Sequence, residues 1–464
     1  MLSLTKQITF TEFKTNFYKT FSNLEELNCQ DFNLLKVVLD GLKVNYFQKN
    51  NLNDFIFKPL FYQKIILLIK SLKETKKSIP KNKANYLLFD NGKCIVDSDG
   101  KEHSYYLNNI EQELSKENCF TIFQTNNHFK KEGSLMLSDI QNHFGNQKYS
   151  KIEVELIFAL RSTFSNITKK YNLDKIDLLN IKTAFNNFFL QYCLFNRFFK
   201  ISNFTHCFFD QHYHREGFIL AQKRNNIQSI ELQHGLIAEQ DIFYVFPKPI
   251  EAIRERALFP DKLFCYGQYW INVVKKGYEF SHEQLDIIGL YQYIKSDITD
   301  NEKLALDRFL QNQQFILITT QTFLHKEFID YINFLSNDLI NKKSSLKIIV
   351  KNHPSEKLEL YESINKLINC KVFNVNVEYL LKNCTYHVSI YSTTLYDALK
   401  YDCINYALKV ESCIDYVLNI INDGIALPLN PDQSLLDVSA NEKSVINSKF
   451  FYEDFNAHKY KLLQ

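Results

Sequence analysis

Two hydrophobic rhythms alternate along this chain. Leu34, Leu35, Val38, Leu39 and Leu42 recur at three- and four-residue steps, the spacing of one helix face, and residues 1–80 read as helical throughout. After Pro80 short apolar runs begin, and NYLLFD and CFTIFQ predict strands. Residues 151–200 return to helical spacing and are crowded with Phe. A cleaner unit follows: strand THCFFD (205–210), helix REGFILAQKRNN (215–226) and strand IQSIELQHG (227–235). A strand–helix–strand crossover is the building block of a parallel sheet. The loop FPKP (246–249) closes this stretch.

A second series starts near Asp261. KLFCYG and QLDIIG read as short strands ending in Gly267 and Gly289. Strand FILITTQ (315–321), a helix to residue 340, strand LKIIVKNHP (346–354), another helix, strand KVFNV, strand HVSIYS (387–392) and helix TTLYDALK (393–400) complete it. The pattern predicts an α/β protein of two doubly wound, Rossmann-like domains facing a cleft. The expected boundaries are a helical N-terminal region (1–80), a first domain (81–260), a second (261–430) and a tail (431–464) able to pack back on the first.

Composition narrows the function. With 464 residues, 45% apolar and 23% charged, the chain is globular and too long for one ordinary core. Fifty-five basic residues against 52 acidic ones leave a net charge of +3, too little for nucleic acid as the main partner. Only 11 glycines occur, with no Gly-x-Gly pair and no Walker-type loop, which argues against a dinucleotide dehydrogenase or a P-loop NTPase. The ten cysteines are scattered singly, without metal-ligand spacing, so reduced cytosolic thiols are expected. The start, MLSLTKQITFTEF, lacks the apolar core of a signal peptide, and the apolar run Ile65 to Ile69 is too short to span a bilayer. A cytoplasmic protein is expected. The stretch FYQKIILLIKSLKETKK, with Lys73, Lys76 and Lys77, reads as a helix packed on the core with a solvated lysine face; the alternative is peripheral contact with the inner face of the membrane.

Ligands of open parallel sheets sit at the carboxyl ends of the strands, so the polar residues just after each strand are the informative ones. Ser392, Thr393 and Thr394 follow one strand and can cap the helix whose amides would meet a phosphate. Lys351 and His353 follow another, just before Pro354, where a cation could neutralise charge on a leaving phosphate. Gln233, His234 and Gly235 end a strand of the first domain, and Asp210, His212, His214 and Glu216 follow its neighbour, a set suited to acid–base work. His212-x-His214 could hint at a metal, but no third ligand accompanies it, and no metal is expected. Asp97-Ser98-Asp99 resembles a metal clamp, yet DSDG is equally a turn sequence.

The order of these pieces resembles the two-domain GT-B glycosyltransferases of bacterial capsule and lipopolysaccharide synthesis. It looks most like the branch with His-Pro and Ser/Thr motifs, which includes bacterial sialyltransferases, Kdo transferases and glycerophosphate transferases of wall teichoic acid synthesis. The matching pieces are Gln233-His234-Gly235, the stretch LFCYGQYWINVVKKGYEFSHEQLDIIGLYQY, His353-Pro354, and Ser392-Thr393-Thr394 with Asp397, spread over residues 205–410. The resemblance implies that His353, Ser392 and Thr393 contact the nucleotide phosphate, that Asp397 holds the ribose, and that the first domain supplies the catalytic group. It also implies that no metal or other cofactor is required. FDNG (89–92) and DSDG (97–100) are both imperfect matches to the acidic motif of the sialyltransferases.

The expectation is therefore a glycosyltransferase that takes a nucleotide-sugar donor, a CMP-sugar favoured, and a glycan or lipid-linked surface-polysaccharide acceptor. Lys351, His353, Ser392, Thr393, Thr394 and Asp397 would bind the donor. His234 and Asp210 would carry catalysis, with Gln233, His214 and Glu216 on the acceptor side. The alternatives are a polyol-phosphate transferase, a sugar-nucleotide epimerase, or a non-catalytic carbohydrate-binding protein.

Overall fold

Residues 10–49, 84–91, 94–96, 102–124, 134–145, 147–246, 248–291, 298–322, 324–354, 356–401, 403–438 and 448–456 are described by a computed structural model. The chain divides into two units, one built from Met1–Gln7, Glu12–Tyr293 and Tyr452–Gln464, the other from Ile8–Thr11 and Ile294–Phe451.

The first unit is organised on a seven-stranded sheet of β1 (Tyr86–Asp90), β2 (Cys119–Phe123), β3 (Leu135–Met136), β4 (His206–Phe209), β5 (Gln228–Leu232), β6 (Lys262–Cys265) and β7 (Leu285–Ile287). Their order is β7-β6-β5-β4-β1-β2-β3, and every neighbouring pair is parallel. Strands covered on both faces read as unbroken apolar runs, and β1 is accordingly buried from end to end. The 25-residue helix Lys175–Phe199 buries Phe185, Phe188, Phe189, Phe195, Phe198 and Phe199. Phe195 packs edge-on against Phe218 at 4.5 Å between ring centroids and against Phe89 at 5.7 Å. Phe side chains thus fill the layer between this helix, the Glu216–Arg224 helix and β1. The two helices touch through their backbones: a Cβ on Gly217 would stand 2.2 Å from the Phe188 carbonyl oxygen.

The N-terminal region is less uniformly helical than its periodicity predicts. Helix Phe10–Thr20 leads to a 3-10 turn, Leu24–Leu27, and a two-stranded hairpin, Asn28–Cys29 with Phe32–Asn33, before helix Leu35–Lys49. That last helix is no separate addition. A Cβ on its Gly41 would lie 2.8 Å from the Ile181 Cα, so it packs directly on the Lys175–Phe199 helix within the first unit. The basic stretch at 61–77 and the DSDG segment lie outside the described residues.

The second unit carries a six-stranded sheet: β8 (Phe315–Thr319), β9 (Lys347–Lys351), β10 (Cys370–Val372), β11 (Tyr386–Ser389), β12 (Ile404–Leu408) and β13 (Leu427–Leu429). The order is β10-β9-β8-β11-β12-β13, again wholly parallel. Leu317, Ile349, Phe373, Leu380 and Leu381 form part of the core on one face. The helix expected after Pro354 is two short 3-10 turns, Leu358–Tyr361 and Ile364–Lys366.

The second α/β series does not begin at Asp261. Leu263 pairs with Glu231 and Leu285, so β6 and β7 extend the first sheet. A short strand's sequence does not encode which sheet will hydrogen-bond to it. The chain also returns to the first unit near its end. Glu453 N–H donates to the Tyr266 carbonyl at 2.9 Å, Leu290 N–H to the Glu453 carbonyl at 2.9 Å, and Asn456 N–H to the Ile288 carbonyl at 3.0 Å. Gly289, at φ +80°, makes that approach possible, since a Cβ there would meet the Asp454 carbonyl oxygen at 2.3 Å.

Counted from its own first strand, each sheet runs 3-2-1-4-5-6, the first adding a seventh. This is the strand order of Rossmann-like domains, and the chain contains two of them. The order reverses between β1 and β4 in one unit and between β8 and β11 in the other. Among the described residues no helix is long and apolar enough to cross a membrane.

Candidate functional site

The carboxyl ends of β8 and β11 meet at the reversal of the second sheet. Ser389 Oγ, at the end of β11, donates to the Thr319 carbonyl at the end of β8 at 2.8 Å. Behind them runs a buried polar line. Thr394 Oγ1 lies 2.7 Å from Thr319 Oγ1, which lies 2.9 Å from His387 Nε2, and His387 Nδ1 lies 2.7 Å from Asn405 Oδ1. Burial pushes the His387 pKa down to about 4, so the imidazole is neutral. Tyr391 N–H donates to Gln321 Oε1 at 2.9 Å, tying the loop after β11 to the loop after β8.

The turn after β9 is held by Glu356. Its carboxylate accepts from Thr320 Oγ1 at 2.5 Å, from Tyr361 OH at 2.9 Å and from the His353 N–H at 3.1 Å. His353 is consequently fixed through its backbone while its side chain stands exposed. Lys351 Nζ donates to Asn374 Oδ1 at 2.6 Å, and burial lowers its pKa. Ser392 Oγ accepts from Thr394 N–H at 3.2 Å. The expected helix 393–400 is shorter than its pattern suggests: Thr393–Asp397 is α-helical and Ala398–Lys400 continues as a 3-10 turn. Five residues sum few peptide dipoles, so this helix offers little field to an anion. Asp397 sits 3.4 Å from Lys400 Nζ.

At the reversal of the first sheet the end of β4 faces the end of β1. Asp210, directly after β4, accepts from Asn91 Nδ2 at 2.6 Å and from Arg215 Nη1 at 3.0 Å. Arg215 Nη2 donates onward to Gln124 Oε1 at 3.0 Å. Both Asp210 oxygens are engaged and the residue is 2% exposed. It is an anchor for Arg215 and Asn91, not a solvent-facing nucleophile. β4 and β5 are parallel neighbours, as the crossover predicts, yet their end residues diverge. His234 turns to Tyr213, whose hydroxyl is 3.1 Å from its Nε2, and His234 Nδ1 is buried without a partner. Beside it Gly235 opens on free space, with no atom within 4 Å of where a Cβ would be.

The other acceptor-side expectations fall in the scaffold. Gln233 is 1% exposed, accepts from Tyr266 N–H at 2.9 Å and donates to the Gly235 carbonyl at 2.8 Å. It shapes the His234 loop. His214 gives both its N–H and its Nδ1 to Asp40, each at 2.9 Å. Glu216 lies 3.6 Å from the buried Lys36 ammonium, and burial, then the nearby Asp40, pushes its pKa up to about 8. His212 faces away from His214. Its Nε2 meets the Phe243 carbonyl at 3.0 Å and its Nδ1 meets Glu231, so both ring nitrogens are engaged within the scaffold. Burial alone would raise the Glu231 pKa, but His212 and the Tyr244 hydroxyl at 2.5 Å hold it low. Among the described residues no three His, Cys, Asp or Glu side chains are grouped to hold a metal ion.

Thr319, Thr320, Gln321, Glu356, His387 and Asn405 belong to the second-unit site without having been singled out in the sequence. Thr320 and Gln321 followed the same strand-end rule. His387 and Asn405 carried a subtler signal: a polar side chain inside an apolar parallel strand must find an internal partner.

No protein-family model and no curated protein matches the sequence. Solved structures do resemble the fold. A UDP-GlcNAc 2-epimerase from Methanocaldococcus jannaschii aligns over 82% of this chain and 98% of its own at 10% identity and a TM-score of 0.47. A UDP co-structure of MnaA from S. aureus aligns over 82% and 95% at 11% identity and a TM-score of 0.45. An E. coli trehalose-6-phosphate structure bound with UDP-2-fluoro glucose aligns over 77% and 92% at 11% identity and a TM-score of 0.43.

Proposed function

We propose that this protein is a metal-independent GT-B glycosyltransferase, moving a sugar from a nucleotide-activated donor to a surface-polysaccharide precursor. The observation that carries the reading is the set of side chains at the carboxyl edge of the second sheet, at and beside its reversal. Ser392, Thr393 and the exposed His353 stand at the carboxyl ends of β11 and β9, where parallel sheets receive nucleotides. Hydroxyl and imidazole donors suit a diphosphate or phosphate leaving group. Lys351 adds a cation at the same edge, and Asp397 offers a carboxylate to the ribose hydroxyls. The CMP-sugar donor and the capsule or lipopolysaccharide acceptor rest on the order of the sequence motifs.

On the first unit His234 is the base of this reading. It has an imidazole nitrogen without a partner, a tyrosine hydroxyl on the other nitrogen, and open space beside Gly235. It would take the proton of the acceptor hydroxyl as that oxygen bonds to the sugar and the sugar–phosphate bond breaks. Asp210 serves as a positioning residue.

Donor hydrolysis and transfer measured across CMP-, CDP-, UDP- and GDP-sugars test the assignment, with calorimetry on His353→Ala and Ser392→Ala. Each replacement should weaken donor binding by about 1.5–3 kcal/mol, the scale of a hydrogen bond to a charged group. Unchanged affinity in both variants would remove the donor from this edge. Activity with none of the four donor classes would end the glycosyltransferase reading.

A further inference from the structure

The three consecutive hydroxyls of the Ser392-Thr393-Thr394 turn are not equivalent, and the buried line behind Thr394 sets the difference. Asn405 Nδ2 donates to the Leu395 carbonyl at 2.7 Å and to the Ile425 carbonyl at 2.9 Å. Both amide hydrogens are used, so the side chain cannot be flipped without opposing oxygen to oxygen. Its Oδ1 must therefore face His387, and His387 Nδ1 must carry the hydrogen it accepts. The imidazole is fully buried and neutral, which leaves Nε2 as a bare lone pair. Only the Thr319 hydroxyl can fill it, at 2.9 Å. With its hydrogen committed there, Thr319 Oγ1 can only accept from Thr394, at 2.7 Å.

We infer that Thr394 presents lone pairs alone to a ligand, and that it recognises a hydroxyl or amino hydrogen of the nucleoside half of the nucleotide, not its phosphate. A phosphate oxygen without hydrogen would set lone pair against lone pair at this position. Ser392 has the opposite polarity. Its oxygen accepts from the Thr394 N–H, and its own hydrogen is left to donate outward. The turn thus reads a phosphate with Ser392 and a hydroxyl or amine with Thr394. Asn405, His387 and Thr319 are positioning residues that enforce this division.

This inference rests on nucleotide binding by the second unit, and the test separates the two. Calorimetry would be run with whichever of CMP, CDP, UDP or GDP the wild-type protein binds, and with pyrophosphate as a competitor. Thr394→Val, which keeps the shape and removes the oxygen, should raise the nucleotide Kd about fivefold to tenfold while leaving the pyrophosphate Kd within about twofold. Thr394→Ser should restore nucleotide affinity. Ser392→Ala should weaken both ligands. A parallel loss of pyrophosphate in Thr394→Val, or unchanged nucleotide affinity in that variant, overturns the polarity assignment alone. A wild-type protein that binds none of the four nucleotides overturns the nucleotide reading and this inference with it.

Discussion

Arg215 donates to Asp210 at 3.0 Å, and both side chains are more than nine-tenths buried. Removing one partner of such a pair leaves an uncompensated charge in the interior, which typically costs about 3–5 kcal/mol. Asp210→Ala should lower unfolding stability on that scale in urea titrations, with Asp210→Asn less damaging because it still accepts a hydrogen bond. Wild-type stability in Asp210→Ala, together with lost turnover, would instead return Asp210 to a catalytic role.

His234 is the contrasting case at the end of the neighbouring strand. Only Tyr213 engages its ring nitrogens, so little of the fold depends on it. His234→Ala should reduce turnover by roughly 10²-fold or more with an unchanged melting temperature. Near-normal turnover would restrict His234 to shaping the loop.

Stability should fall as the pH rises through neutrality. Burial raises the Glu279 carboxyl from its ordinary 4.5 to about 8, outweighing the N–H of Phe246 and the charge of Lys14, and Glu216 is likewise raised to about 8. The folded state holds protons that the unfolded chain has released, so the stabilisation is complete below about pH 4.5 and lost as pH climbs through about 8. Melting temperatures measured from pH 7 to 8, above the range in which the lowered pKa values of His387, His212 and His206 act with the opposite sign, should decline, and Glu279→Gln, which mimics the protonated carboxyl, should flatten the slope. An identical slope in that variant would show that Glu279 does not contribute.

Gly217→Ala tests the helix contact beneath the first sheet. A methyl group 2.2 Å from the Phe188 carbonyl oxygen can be accommodated only by moving backbone. Overpacking of this kind costs about 1–3 kcal/mol, against the modest gain Ala brings to an exposed helix. Denaturant midpoints that rise in Gly217→Ala would mean that the helices separate more freely than their contact implies.

Much of the architecture was legible from local pattern. The crossover 205–235 became β4, helix and β5 because its apolar runs and helical repeat are properties of consecutive residues. The strand-end rule likewise led to Ser392 and His353, since a polar residue after a buried strand must emerge at the sheet's edge. By contrast, β6 and β7 look in sequence like the start of a second domain, and only hydrogen bonds to Glu231 and its neighbours place them in the first sheet. The return of Glu453 to Tyr266 is equally nonlocal.

The site divides in the same way. Residue type and spacing determined that Asp210 and His234 end neighbouring parallel strands. Tertiary contacts alone decided that Arg215 and Asn91 occupy the carboxylate, while His234 keeps a buried, unpartnered nitrogen. Glu216 and His214 sit in a run that reads as functional, but Lys36 and Asp40, some 175 residues earlier, draw them into the scaffold. For Thr394 the sequence determined a hydroxyl at a strand end. The direction in which it can hydrogen-bond was decided by Asn405, through His387 and Thr319. A hydroxyl can donate or accept, and only the partners folded around it select which.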